Sequence, residues 1–157
     1  MEFEYLNRQK MPSLDVFLKH LDTFLASIDN DIPLAVETRN SNYLHEEYSS
    51  LLKKWNASHV FSEKLYMPHI YKVYEKYVDL LNDKVIVRLP GGDRKKIEET
   101  TKGKWDSLVD EKDDLPQIVE MLRDIGSSGK SVFVYVNNHY EGSAPLTIGK
   151  MINEIST

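Results

Sequence analysis

The chain has no cysteine among its 157 residues. That removes disulfide frameworks, thiolate zinc sites and cysteine nucleophiles together. No apolar run approaches the roughly 20 residues needed to span a bilayer. The N-terminal MEFEYLNRQK lacks the apolar centre of a signal peptide. A cytoplasmic protein without a membrane partner is the expectation. There is no excess of basic charge either. Lys and Arg number 20 against 25 Asp and Glu, for a net charge of −5, which argues against a generally basic nucleic-acid binder. GxGxxG, GxxxxGK[ST] and GxSxG are all absent, so phosphate-loop and serine-hydrolase chemistry has no support.

What is present is core material for one domain: 41% of residues are hydrophobic and 10% aromatic. Short β-branched runs at Phe3–Leu6, Pro33–Thr38, Ser58–Phe61, Lys84–Leu89 and Ser131–Val136 predict strands. Between them lie helical stripes: Leu14 to Ile28, Leu44 to Trp55, Ile70 to Leu81, Leu115 to Ile125 and Ile148 to Ile155. Ser13 is placed to cap the first of these. Gly91 to Asp114, rich in charge and glycine, reads as the least regular segment. The order is β-α repeated, which implies parallel strands joined by right-handed crossovers. A closed (β/α)8 barrel takes eight units and about 250 residues. On alternation alone, an open doubly wound sheet ranks first.

The strand exits change that ranking. AVETRN at Ala35–Asn40, VIVRL followed by PGG at Val85–Gly92, and VFVYVNNHYEGSAPLTI at Val132–Ile148 occur in order. With FEYLNRQKMPS near the start and MPH at Met67–His69, the chain resembles the YecE-like family, domain of unknown function 72. The resemblance implies a TIM-type β/α barrel, with residues 1–157 as a single domain resembling strands four to eight. It implies an incomplete barrel whose missing N-terminal segment comes from elsewhere, or which self-associates through its open edges. Where the family often has histidine in Arg-Leu-His-Gly, this chain has Pro90. The family's activity is uncharacterised, so the resemblance brings no reaction.

In such barrels the chemistry sits at the C-terminal ends of strands. Alternation puts Ala35, Glu37 and Arg39 on one strand face, which should point into the barrel top, because unpaired charge is costly against apolar helices. Arg39 and Arg88 could clamp an anion bidentately; alternatively Arg88 pairs with Glu37. Asn137 and Asn138 could orient a substrate, or simply close a turn. His139 could act as general base, or be an exposed loop histidine. Glu141 could complete an acid–base pair with Glu37. Glu37, Asn137 and His139 are thus the candidate catalytic residues, and Arg39, Arg88, Asn138 and Glu141 the candidate substrate or anion contacts. Gly142 to Pro145 starts a helix whose N-terminus suits an anion.

His59, His69, His139, Glu37 and Glu141 are possible metal-ligand types, but none shows a spacing such as HExxH. No metal or cofactor is indicated. Arg94, Lys95, Lys96, Lys102 and Lys104 with Trp105 form a basic run that could touch a phosphate backbone, interrupted by Asp93, Glu98 and Glu99. The functional expectations are therefore three. One is a polar pocket for a small anionic or phosphorylated ligand, reaction unknown. Another is a nucleic-acid-binding or processing barrel. The last is an inactive fragment, or half of an assembly.

Overall fold

The structure, a computed structural model, describes residues 1–29, 31–64 and 66–156. Five parallel strands alternate with six α-helices: β1 Glu2–Phe3, α1 Leu14–Ala26, β2 Ala35–Thr38, α2 Glu46–Lys54, β3 Ser58–Ser62, α3 Ile70–Tyr77, β4 Lys84–Leu89, α4 Arg94–Thr101, α5 Leu115–Ser127, β5 Ser131–Val136 and α6 Ala144–Ile155. No described helix is long and apolar enough to cross a membrane.

Strand order decides the architecture. The sheet runs β1-β2-β3-β4-β5, all parallel, with no reversal. A doubly wound sheet reverses direction at a switch point, so the ranking from alternation alone is corrected. Right-handed crossovers that always advance one strand in the same direction place every helix on one face. Burial agrees. On β4, Val85, Val87 and Leu89 are at most 1% exposed against the helices, while Ile86 and Arg88 on the other face are half-buried. On β5, Val132, Val134 and Val136 pack on the core, whereas Phe133 is 46% and Tyr135 60% exposed. Each buried Val or Leu is worth about 1.5–3 kcal/mol. The apolar set therefore fixes which face meets the helices, and Arg88 is left on the other. The sheet is a barrel-type α/β wall that does not close.

Two local expectations are corrected. The first strand pairs over Glu2–Phe3, not Phe3–Leu6. Pairing begins at the terminus, where the Met1 amine donates to Ala35 O at 2.7 Å and Glu37 N donates to Met1 O at 2.9 Å. Beyond Phe3 the Asn40 amide takes over the ladder's role, accepting from Leu6 N at 2.8 Å and donating to Leu6 O at 2.9 Å. The segment expected to be irregular contains α4. Asp93 caps it, accepting from Lys96 N at 3.1 Å, and Lys102 ends it at φ 53°. Its buried contribution is only Ile97 and Thr101, too short a stripe to stand out. Ser13 caps α1 as expected, accepting from Val16 N at 3.3 Å.

His59 lies on the helix-facing side of β3, edge-on to Phe61 and Tyr48. The Tyr48 hydroxyl is 3.2 Å from His59 Nδ1, a contact in which only the neutral ring can accept. Burial pushes the His59 pKa down to about 4, outweighing a backbone contact to Val36 that raises it. Unfolded histidine titrates near 6.5. As pH falls, the unfolded chain therefore takes up the proton first. The stability contributed by neutral His59 is complete above about pH 6.5 and is lost on descent to about pH 4, by no more than about 3 kcal/mol. Thermal melts at neutral and at mildly acid pH check this. The wild type should lose more melting temperature than His59→Gln, and equal losses would sink the assignment.

Candidate functional site

Two neighbouring clusters stand at the strand exits. The first is on the inner sheet face. Parallel register sets Glu37 beside Glu2, and Arg88 beside Ser62 and Tyr135. Arg88 Nη1 donates to Glu37 Oε2 and, at 2.9 Å, to Glu2 Oε2. Arg39 donates to Glu2 and Glu4. Arg39 Nε and Lys64 Nζ each lie 4.0 Å from Glu37 Oε1. Burial raises the Glu2 carboxyl pKa, but the Arg88 hydrogen bond and the Arg39 charge outweigh it and hold the value below the ordinary one. Glu37 is only 2% exposed.

This geometry favours pairing over clamping. Glu2, Glu4 and Glu37 meet Arg39 and Arg88 at close range, with Lys64 standing off at 4.0 Å from Glu37. Each guanidinium already holds two carboxylates, while Arg39 Nε and Glu37 Oε1 are buried without hydrogen-bond partners among the described residues. Arg88 pairs with Glu37, the alternative left open above, and Arg39 is drawn to Glu2 and Glu4.

The VNNHYEGSAP loop is likewise engaged internally. Asn137 is exposed, and its Oδ1 accepts from His139 N at 2.9 Å and lies 2.6 Å from His139 Nδ1. That is a side-chain-closed turn. His139 is not an exposed loop residue. It is 9% exposed, with Nε2 2.8 Å from Glu98 Oε1 and Trp105 edge-on at 5.0 Å. It ties α4 and the following loop to the β5 exit, and both its nitrogens are occupied. Asn138 Oδ1 accepts from Ala144 N at 2.8 Å and so caps α6. Glu141 is fully buried. It accepts from Lys112 N and from Thr147 Oγ1, both at 2.8 Å. Glu141 is thus bound to Lys112 and Thr147 and Glu37 to Arg88, with no hydrogen-bond partner shared among the described residues. Its carboxylate takes the anion's place near the α6 N-terminus, where charge and helix dipole are complementary.

The second cluster lines an open cleft of about 250 Å³. The β3 exit supplies Glu63 and Lys64, and His69 comes from just ahead of α3. Gly91 and Gly92 follow β4, Lys112 and Asp114 precede α5, and Tyr140 follows β5. His69 Nδ1 lies 3.1 Å from Glu63 Oε1 and 2.9 Å from Asp114 Oδ2. Burial, helped by Asp114, raises the Glu63 pKa against the opposing Ile70 N–H and His69. Burial and the Arg39 charge lower that of Lys64, against the attraction of Glu37. The Tyr140 hydroxyl is buried without a hydrogen-bond partner among the described residues. Burial, then Asp114, Glu63 and Glu141, push its pKa up.

Other hollows lack such features. A void of about 20 Å³ behind β3 is bounded by Leu52, Phe61 and other core groups, and is about the size of a single water. Broader grooves of about 560 and 490 Å³ lie along the helices and contain none of the buried unpaired polar atoms.

None of the seven candidate catalytic or anion-contact residues lines the cleft, whereas His69, weighed from the sequence as a metal-ligand type, does. The strand exit carried a further readable signal. Glu63-Lys64 follow a buried strand directly, as Asn137-Asn138 do, and the same strand-exit logic applies to them. Lys112, Asp114 and Tyr140 converge only through the fold. The basic run is partly neutralised: Lys95 sits 3.8 Å from Glu99 and Lys96 3.5 Å from Asp110, while Trp105 packs on His139.

A family model described as "Protein of unknown function DUF72" matches residues 6–157. No curated protein matches the chain. The crystal structure of a DUF72 family protein from Thermotoga maritima is similar, with a TM-score of 0.63 at 18% identity. That similarity covers 99% of this chain and 56% of the other, so this chain spans little more than half the length of that relative. At this identity the likeness concerns fold alone, and the fold is the open barrel-type wall described above. The family match itself takes in β2 to β5 and the whole cleft, with Glu37, Arg39, Lys64 and Arg88 of the first cluster but not Glu2 and Glu4, and the chain belongs to the DUF72 family.

Proposed function

We propose that the cleft at the exits of β3, β4 and β5 binds a small anionic ligand, a phosphorylated or carboxylated molecule, with Lys64 as the principal cation. The observation that carries this reading is the state of Lys64. It lines the cleft, its side chain is 21% exposed, and its nearest ion-pair partner is 4.0 Å away. An ammonium held without a close partner favours an incoming anion. Lys112 adds charge at the rim, although it already pairs with Asp110. The Glu37–Arg88 network beneath acts as scaffolding that holds Lys64 in place.

The same reading expects further strands over the inner face. Phe133 and Tyr135 are exposed there, and β1 and β5 each lack a second neighbour among the described residues. Unpaired edges beside exposed aromatics favour association. A barrel segment in the same polypeptide, or a partner chain, would cover them. The greater length of the solved relative supports this.

Titration calorimetry of the chain with inorganic phosphate, pyrophosphate and citrate tests the pocket. At least one should bind, and Lys64→Met should weaken it roughly tenfold or more, since a hydrogen bond to a charged group is worth about 1.5–3 kcal/mol. No binding to any of the three, or equal binding in Lys64→Met, would overturn the proposal.

A further inference from the structure

The cleft holds a second arrangement that anion binding does not use. Glu63 Oε1, His69 Nδ1 and Asp114 Oδ2 all lie within 4.8 Å of one another. Two carboxylates converge on one ring nitrogen, at 3.1 and 2.9 Å. That nitrogen carries at most one hydrogen, so it can satisfy only one of them by donation. A cation placed between the three atoms satisfies all of them at once. The spacing suits it. Metal–ligand bonds of about 2.0–2.2 Å put adjacent donor atoms about 3 Å apart.

An independent observation points the same way. Tyr140 is only 2% exposed, its hydroxyl has no partner, and it lines the same cleft. Asp114 and Glu63 are the first two charges acting on that phenol. A buried hydroxyl that lines the same cleft as two carboxylates and bonds to neither leaves a donor unused beside them. A water on a bound ion would accept it.

We infer that Glu63, His69 and Asp114 hold one divalent transition-metal ion of the zinc or manganese type. One nitrogen and two carboxylate oxygens are hard to borderline donors suited to these ions. Three protein ligands leave at least one open position, which faces the cleft and carries water hydrogen-bonded to Tyr140. Ile70 N–H donates to Glu63 Oε2 at 3.0 Å and fixes the orientation of that carboxylate. His69 stacks on Tyr71 at 5.4 Å, which fixes the ring. Such supports are what hold metal ligands in register. The site goes beyond the anion reading and is tested without any anion ligand, so either idea can fail alone.

The test uses the untagged full chain, stripped with chelator and then dialysed against zinc or manganese chloride. Elemental analysis should find about one ion per chain. His69→Ala and Asp114→Asn should each weaken uptake roughly a hundredfold or more, while His45→Ala, at an exposed histidine away from the cleft, should leave it unchanged. Imidazole nitrogen NMR of the wild type needs no variant. Added zinc should shift the His69 ring and leave His20 and His45 in place. No stoichiometric uptake by the wild type, or an unmoved His69 signal, would overturn the site.

Discussion

Arg88→Met is expected to destabilise the chain by about 3–5 kcal/mol, more than Glu37→Leu does. The asymmetry follows from burial. Without Arg88, the Glu37 carboxylate stays 2% exposed, with Arg39 and Lys64 no closer than 4.0 Å. An enclosed charge without a close partner carries nearly its whole desolvation cost. Without Glu37, Arg88 keeps Glu2 at 2.9 Å, and its side chain is 36% exposed and can be hydrated. The double variant should cost less than the two single variants added, with a coupling of about 1–3 kcal/mol, because it removes both ions together. Urea unfolding followed by circular dichroism measures all three. Additive costs would show that the pair is not coupled, and the scaffold role given to the network would fall with it.

Gly91→Ala should cost about 3 kcal/mol or more and should disturb the cleft. A Cβ there would lie 2.1 Å from His139 O, 2.4 Å from His139 C and 2.8 Å from Tyr140 N, all backbone atoms. All three belong to one peptide unit, so no flexible side chain is there to yield. Gly91 also sits at φ +85°, which costs an L-residue about 1–2 kcal/mol by itself. Gly103 provides the comparison. It has φ +74° but nothing within 4 Å of the added carbon, so Gly103→Ala should show the conformational cost alone. The difference between the two variants measures how tightly the β4 exit is pressed against the turn that carries Tyr140. Equal costs would mean that the two loops are not held together.

Much of the wall was legible because its signals are local. The apolar runs Lys84–Leu89 and Ser131–Val136 coincide with β4 and β5, since a strand buried on one face needs its Val and Leu at alternate positions. Ser13 announced the start of α1 by the same local logic. The charges on Glu37 and Arg39 pointed to a polar inner face, because they could not lie unpaired under helices. What those charges do was not legible. Glu2 and Glu4 reach Arg39 across 37 and 35 positions of sequence, and only the parallel pairing of β1 with β2 makes them neighbours. Asn40 bracketing Leu6 and Glu141 accepting from Lys112 N are hidden for the same reason. The cleft was missed because each element contributes one or two of its side chains. His69 was weighed only for its spacing to other ligand types along the chain, whereas Asp114, 2.9 Å from it, is separated by α3, β4 and α4.

The proposed anion site places ligand chemistry in the cleft and leaves the arginine–glutamate network beneath it a structural role. Amide chemical-shift mapping of the nitrogen-15-labelled chain during titration with pyrophosphate separates the two. The shifts should concentrate on Glu63, Lys64, Gly91, Gly92, Lys112 and Tyr140, while Glu2, Arg39 and Arg88 stay in place. Shifts centred on Arg39 and Arg88, with the cleft amides unmoved, would contradict it.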